Sequence, residues 1–137
     1  MERPAQASVR GRIEADGRVL LLECRTADGD EVWTVPGGRA RIGEEPRDAV
    51  VREVREETSL EVAVGDPIGV YSFTWDGGER GVVATVFDCE HQGGTVDVDD
   101  NPDDERIVGF DWVPPAEADS LPMLAPLQEI LTAGRTD

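Results

Sequence analysis

GRARIGEEPRDAVVREVREETSL, the stretch from Gly38 to Leu60, sets one glutamate in a glycine-led loop and three more on a single helical turn. Glu53, Glu56 and Glu57 stand at i, i+3 and i+4, a spacing that makes their side chains neighbours on one helix face. Three carboxylates so placed repel one another, and two readings account for them. They form a solvated acidic surface, or they form the oxygen-rich, highly charged site that Mg2+ or Mn2+ takes, with water and substrate phosphates completing the coordination. The upstream context favours the second reading. Pro36-Gly37-Gly38, then Glu44, then Arg52 directly before the first helical glutamate, are not required by a surface helix.

The helix is predicted to begin near Pro46, where a missing N–H costs nothing, with Glu44 and Glu45 complementing the positive end of its dipole. Ala49, Val50 and Val54 give it an apolar stripe for packing. The glutamates fall largely off that stripe and are expected to face a cleft.

This stretch resembles the Nudix box: a glycine, five residues, glutamate, seven residues, then Arg-Glu-aliphatic-x-Glu-Glu-x-Gly-aliphatic. Gly38, Glu44, Arg52, Glu53, Val54, Glu56, Glu57 and Leu60 match, and Ser59 alone departs, standing where the pattern has glycine. The resemblance implies an α/β/α sandwich around a mixed β-sheet and Mg2+, or Mn2+, as cofactor. It also implies the reaction, hydrolysis of a nucleoside diphosphate linked to another group by attack of water within the diphosphate bridge. Carried over position by position, Glu53 and Glu57 become the principal metal ligands and Glu56 a ligand or base. Glu44 becomes a supporting carboxylate held by Arg52, although Arg52 also lies at i, i+4 to Glu56, a surface pair worth only a few tenths of a kcal/mol. The general base falls either to a box glutamate or to a downstream carboxylate, for which Glu105 is the first candidate and Asp103 and Asp104 its competitors. Ser59 is expected just past the helix end in a left-handed conformation, at a cost of about 1 kcal/mol relative to glycine.

A chain of 137 residues is expected to form one domain over residues 1–137 and to bury about two-thirds of its unfolded surface. Its net charge of −17 comes from 30 acidic residues against 13 basic ones, all of them arginine. Such a surface repels nucleic acid and anionic membranes, so neither is expected as a partner. It resembles the surfaces of proteins from salt-accumulating halophiles, where molar salt shortens the Debye length to roughly 3 Å. The start, MERPAQASVRGR, lacks the apolar core of a signal peptide, and no apolar run approaches a membrane span, which makes a cytoplasmic location the expectation. Cys24 and Cys89 show no metal-ligand spacing and read as small packing groups, and His91 reads as a surface residue. A homodimer is left open.

Along the chain, Ala7–Ile13 and Val19–Cys24 flank Asp16-Gly17 and read as a hairpin. Val32–Val35 reads as a short strand running into Pro36-Gly37-Gly38. Further strands are expected near Glu61–Val64, Ile68–Trp75, Val82–Cys89 and Ile107–Val113. The acidic, turn-rich segment Gly93–Asp104 reads as a loop in which Thr95–Val98 could form a short strand. Pro114-Pro115 should start a short helical turn. Leu124–Ala133 reads as a terminal helix with Leu124, Leu127, Ile130 and Leu131 on its packing side. Strands on both sides of a central helix argue an α/β layered domain.

The small-molecule partner implied is a nucleotide. Gly37 and Gly38 let backbone approach it, and Arg39 and Arg25 are the phosphate contacts suggested by position, unless they merely balance acids. Trp33 is expected to pack behind the glycine loop. Some family subgroups specific for ADP-ribose carry a proline about fifteen residues past the box, and some dinucleoside polyphosphate hydrolases carry a tyrosine near that point. Ser72-Phe73-Thr74-Trp75-Asp76-Gly77 has neither, which points towards nucleoside triphosphates, damaged ones included, over ADP-ribose or nucleotide sugars. Two alternatives stand beside this. A non-catalytic nucleotide-binding or regulatory module keeps the fold, and an isomerase of isoprenoid diphosphates needs a catalytic cysteine that neither Cys24 nor Cys89 is placed to supply.

Overall fold

The computed structural model of the chain describes residues 3–75, 77–99 and 107–133. Glu105, Asp103 and Asp104 lie outside the described residues. The chain order is β1 (Gln6–Ala15), β2 (Arg18–Arg25), β3 (Glu31–Thr34), β4 (Gly37–Arg39), α1 (Pro46–Thr58), β5 (Glu61–Trp75), β6 (Arg80–Gly93) and β7 (Ile107–Val113), then a 3-10 turn (Pro115–Ser120) and α2 (Ala125–Thr132).

The seven described strands form one mixed sheet ordered β3-β2-β1-β6-β5, with β7 on β2 and β4 on β1. The expected hairpin forms. Glu14 faces Val19 and Ala15 faces Arg18 across Asp16 and Gly17, both with positive φ, the geometry of a two-residue primed turn. β1 then runs parallel to β6 from Gln6 opposite Val82 to Glu14 opposite Glu90. That long parallel pairing makes β1 an interior strand.

Each face of the sheet has its own core. Ala49, Val50 and Val54 of α1, all fully buried, pack with Val9, Ile13, Leu20 and Leu22. On the other face Leu127 and Leu131 of α2 close over Leu21, Val35, Tyr71, Ala84 and Val86. A helix on each face of a mixed sheet is the α/β/α sandwich that the sequence implied.

Four local expectations change. Glu61–Val64 and Ile68–Trp75 are one strand, continuous through bulges between Val64 and Gly69, because the chain keeps pairing with β6 around Pro67, which has no N–H to donate. Gly37–Arg39, read as a loop, is a strand pairing with Ser8–Arg10. Thr95–Val98 is not a strand, although Asp97 N–H donates to Thr58 O at 2.8 Å and ties the segment to the end of α1. Leu124 precedes α2 and is 41% exposed rather than packed. Among the described residues no helix is long and apolar enough to cross a membrane.

Candidate active site

Pro46 at the first turn starts α1, and the helix ends where Thr58 Oγ1 bonds Val54 O at 2.7 Å and Ser59 turns left-handed at φ 66°. Register is thereby fixed at both ends. It delivers two of the three helical glutamates to places a solvated acidic face would not occupy, since Glu57 is 1% and Glu53 4% exposed. Burying a carboxylate is costly unless donors receive it. Glu57 Oε1 accepts the Gly37 N–H at 2.8 Å, so the short strand β4 is pinned to the helix by that residue. The Glu53 carboxylate lies over Gly38, one residue further along the same strand, and accepts from Arg52 Nη1 at 2.8 Å.

Arg52 organises the remainder. Its Nε and Nη2 each donate to Glu44 at 2.9 Å in a bidentate pair, and Nη2 also donates to Arg39 O at 3.0 Å. Nη1 reaches Glu56 Oε2 at 3.4 Å as well as Glu53. The Glu53 and Glu56 carboxylates therefore converge on a single nitrogen. The Arg52 hydrogen bonds, with the Arg41 N–H second, hold the Glu44 carboxyl down to about 2, and in return the Arg52 guanidinium is held protonated above its ordinary range. Arg41 Nη2 approaches Glu56 Oε1 at 3.8 Å.

The chemistry of this donor set suits a divalent cation. The groups are carboxylate oxygens in a partly buried site, and Gly38 leaves room for one of them against the strand. Among the described residues no three His, Cys, Asp or Glu side chains close on a common point. That is compatible with Mg2+, which takes only one or two carboxylates and fills its octahedron with water and substrate phosphate.

A cavity of about 590 Å3 opens beside these residues. One end is made by Gly38, Arg39 and Glu53, and the other by Phe73, Trp75 and Val82 on β5 and β6. Gln6, Ser8 and Arg10 form the wall between them. Tyr71 and Phe73 stack at 6.0 Å between ring centres, and Arg80 lies over Trp75 at 5.4 Å. The cavity thus joins a carboxylate end to an aromatic end.

Sequence-predicted residues divide on this geometry. Gly37, Gly38, Arg39, Glu44, Arg52, Glu53, Glu56 and Glu57 are brought together. Arg25 is not; it pairs with Glu23 at 3.6 Å and donates to Gly29 O at 3.4 Å, at the far end of β2. Trp33 packs against the segment after β7 rather than behind the glycines, its backbone N–H donating to Pro122 O at 2.8 Å and its indole N–H to Glu31 Oε2 at 2.9 Å. Cys89 is buried in the core under α1, and burial, with Asp88 second, pushes its thiol up to about 12, which leaves it protonated at neutral pH and no nucleophile. Gln6, Ser8 and Arg10 were missed. Their signal is a row of polar residues at alternate positions of a strand whose two faces are both covered.

An α/β/α sandwich whose first helix turns its carboxylates towards a glycine strand and a cavity defines the class of protein. The chain belongs to the NUDIX family, the model of the NUDIX domain matching residues 2–133. A MutT-like protein of Streptomyces ambofaciens is 43% identical over 82 residues, covering 60% of this chain and 49% of the relative. An ADP-ribose pyrophosphatase of Methanocaldococcus jannaschii is 35% identical over 112 residues, covering 81% of this chain and 65% of the relative. The chain thus spans 49% and 65% of the length of these curated relatives. In three dimensions, the crystal structure of the MutT protein from Methanosarcina mazei Go1 superposes with a TM-score of 0.80 at 26% identity, covering 96% of this chain and 93% of that one.

Proposed function

We propose that this chain is a divalent-metal-dependent pyrophosphohydrolase of nucleotides, cleaving a nucleoside diphosphate linked to a further group, a nucleoside triphosphate included. The observation that carries this reading is the single cavity holding Glu53, Gly38 and Arg39 at one end and Phe73 and Trp75 at the other. A nucleotide has the matching polarity, with anionic phosphates at one end and a planar base for stacking at the other. Bound Mg2+ supplies neutralisation of phosphate charge and activation of water.

The protein's own residues do the positioning. Arg39 offers a cation at the phosphate end of the cavity, where the overall charge of −17 would otherwise repel the substrate. Arg52 orders Glu44, Glu53 and Glu56 around itself, and Glu57 fixes β4 through the Gly37 N–H. A proton leaving the attacking water goes to a box glutamate, Glu56 being the more exposed, or to Glu105.

A second reading, hydrolysis of ADP-ribose, is favoured by the Methanocaldococcus relative, which bears that activity in its name. Ribonucleoside and deoxyribonucleoside triphosphates, ADP-ribose and a nucleotide sugar, each with Mg2+ or chelator, separate the two by product. Glu57→Gln keeps the acceptor for the Gly37 N–H but removes the charge, so turnover should fall by about a hundredfold or more, beyond the ten- to hundredfold that loss of an outer-shell partner costs. Chelator-resistant activity, or full turnover in Glu57→Gln, overturns the metal assignment. A fall of less than about threefold in Glu105→Gln returns the base to the box, since a positioned general base contributes about a hundredfold or more.

A further inference from the structure

The wall of the cavity contributed by β1 carries hydrogen-bonding capacity that the protein does not use. Ser8 is 5% exposed, and its Oγ has no hydrogen-bond partner among the described residues. Two positions along the same strand face, Arg10 donates from Nη1 to Val35 O at 2.8 Å and to Thr34 Oγ1 at 3.4 Å, while its Nε is also without a partner. Both Arg10 acceptors are neutral. In a chain with 30 acidic residues, a partly buried guanidinium with no carboxylate on it among the described residues departs from Arg12 and Arg52, the other described arginines that are not exposed, both of which pair with carboxylates. Packing explains the position of the stem, because it lies against Gly37, where a β-carbon would come 2.6 Å from Arg10 Cγ. It does not explain the charge.

We infer that Arg10, with Ser8 beside it, reads the base of the nucleotide and selects an edge with two adjacent hydrogen-bond acceptors. This rests on the nucleotide reading of the cavity and names the base class within it. The apolar end, Phe73, Trp75 and Val82, accepts the ring face, which every base offers, so it cannot discriminate. Discrimination falls to the polar wall. Arginine only donates, and a donor-only group matches the O6 and N7 acceptors of guanine, or the adjacent O2 and N3 of cytosine. Adenine sets its N6 amine, a donor, beside both N1 and N7, and uracil sets its N3–H between two carbonyls. Either would bring a donor against the guanidinium and leave a hydrogen bond unmade in a partly buried site. Ser8 presents its hydroxyl beside the guanidinium and donates to the same acceptor edge, so its loss weakens the preference that Arg10 sets.

The test pairs binding with turnover. Calorimetric titration with GMP, CMP, AMP and UMP, in the absence of metal, should show guanine and cytosine bound about tenfold more tightly than the other two, the lower end of what one good base contact supplies. The same ratio should appear in kcat/KM for the four triphosphates with Mg2+. In Ser8→Ala, and more strongly in Arg10→Gln, the ratio should shrink towards one. Should Arg10→Gln fail to fold, Ser8→Ala still reports, because it removes a hydroxyl that bonds nothing among the described residues. Wild-type preference for adenine or uracil, or a ratio unchanged in Ser8→Ala and in any folded Arg10→Gln, overturns the inference. An Arg10→Gln loss equal for all four bases also overturns it and makes Arg10 a phosphate contact. Monophosphates bound with the expected preference but no triphosphate hydrolysed would overturn the hydrolase reading and leave the base assignment standing.

Discussion

The Glu53 carboxylate lies so close over Gly38 that a β-carbon on that glycine would come 2.6 Å from Glu53 Cδ. Its neighbour Gly37 is also hemmed in, but mainly by backbone, a β-carbon on Gly37 coming 2.7 Å from Arg10 Cα and closer still to the Val9 carbonyl. Two adjacent glycines thus serve different ends. Gly38→Ala asks a side chain to move, and Gly37→Ala asks two paired strands to separate. Gly38→Ala should keep most of its stability, measured by thermal melting, while losing metal-dependent turnover because Glu53 is displaced. Gly37→Ala should be destabilised by roughly 1–3 kcal/mol or more, the cost of overpacking. Equal stability losses in the two variants would show that the carboxylate is not the group that Gly38 accommodates.

Acid sensitivity follows from the Glu44–Arg52 pair. The Glu44 carboxyl, ordinarily near 4.5, is held down to about 2 in the folded protein by the bidentate arginine and the Arg41 N–H. Between those values the unfolded chain binds the proton and the folded one does not, so stability there rises with pH. The pair's contribution is complete above about 4.5 and disappears as pH falls through about 2. Overall repulsion among the acids has the opposite sign, since protonation relieves it, so the measurement is the difference between wild type and Glu44→Gln. That difference in stability should be constant from pH 7 to about 4.5 and shrink below it. A difference that grows on acidification would reverse the assignment.

The box was legible because its chemistry requires fixed spacings on one helix, and a helix transmits spacing directly into side-chain position. The hairpin was legible for a similar local reason, Asp16-Gly17 satisfying a turn that needs two positive φ values. Arg25 and Trp33 were misplaced because proximity in sequence to Gly38 says nothing about which sheet edge or face a residue reaches. β3 and β4 are nearly contiguous, yet Val32 pairs with Cys24 on β2, whereas Gly38 pairs with Val9 on β1. The wall formed by Ser8 and Arg10 required knowing that β1 is interior, and only its long parallel pairing with β6 shows that. Neither the pairing partner nor the parallel direction is written in local pattern.

Salt dependence follows from the charge. With −17 on 137 residues, dilute buffer leaves repulsion among the exposed acids unscreened, and molar salt cuts the Debye length to roughly 3 Å. The ion pairs inside the site are shielded from this by partial burial, Arg52 being 17% and Glu44 16% exposed. Salt should therefore stabilise the fold more than it weakens the site. Melting temperature and Mg2+-dependent turnover should both rise from dilute buffer towards 1 M KCl, an ionic strength chosen for that screening length. Equal melting temperatures across the range would remove the halophile resemblance as an explanation of the composition.

Ser59 closes α1 at φ 66° and ψ 10°, with its N–H on Arg55 O at 2.9 Å, in the left-handed region where a β-carbon is penalised. Its side chain is exposed, and the following segment lies close over its backbone, Gly94 approaching so tightly that a β-carbon there would come 2.7 Å from Ser59 O. The conformation is therefore imposed by the turn into β5 and not chosen by the serine. Ser59→Gly removes a steric cost of about 1 kcal/mol, offset in part by the freedom that glycine has in the unfolded chain. Stability in chemical denaturation should stay level or rise slightly. Turnover should not fall, because Glu53, Glu56 and Glu57 depend on the register of α1, which Thr58 Oγ1 and the helix bonds before it already hold. Ser59→Ala separates the two contributions, since it keeps the β-carbon strain and removes only the hydroxyl. If Ser59→Gly loses activity and Ser59→Ala loses it equally, the hydroxyl has a role in the site; if only Ser59→Gly does, flexibility at the helix end disturbs the glutamates, and the claim that register alone positions them is wrong.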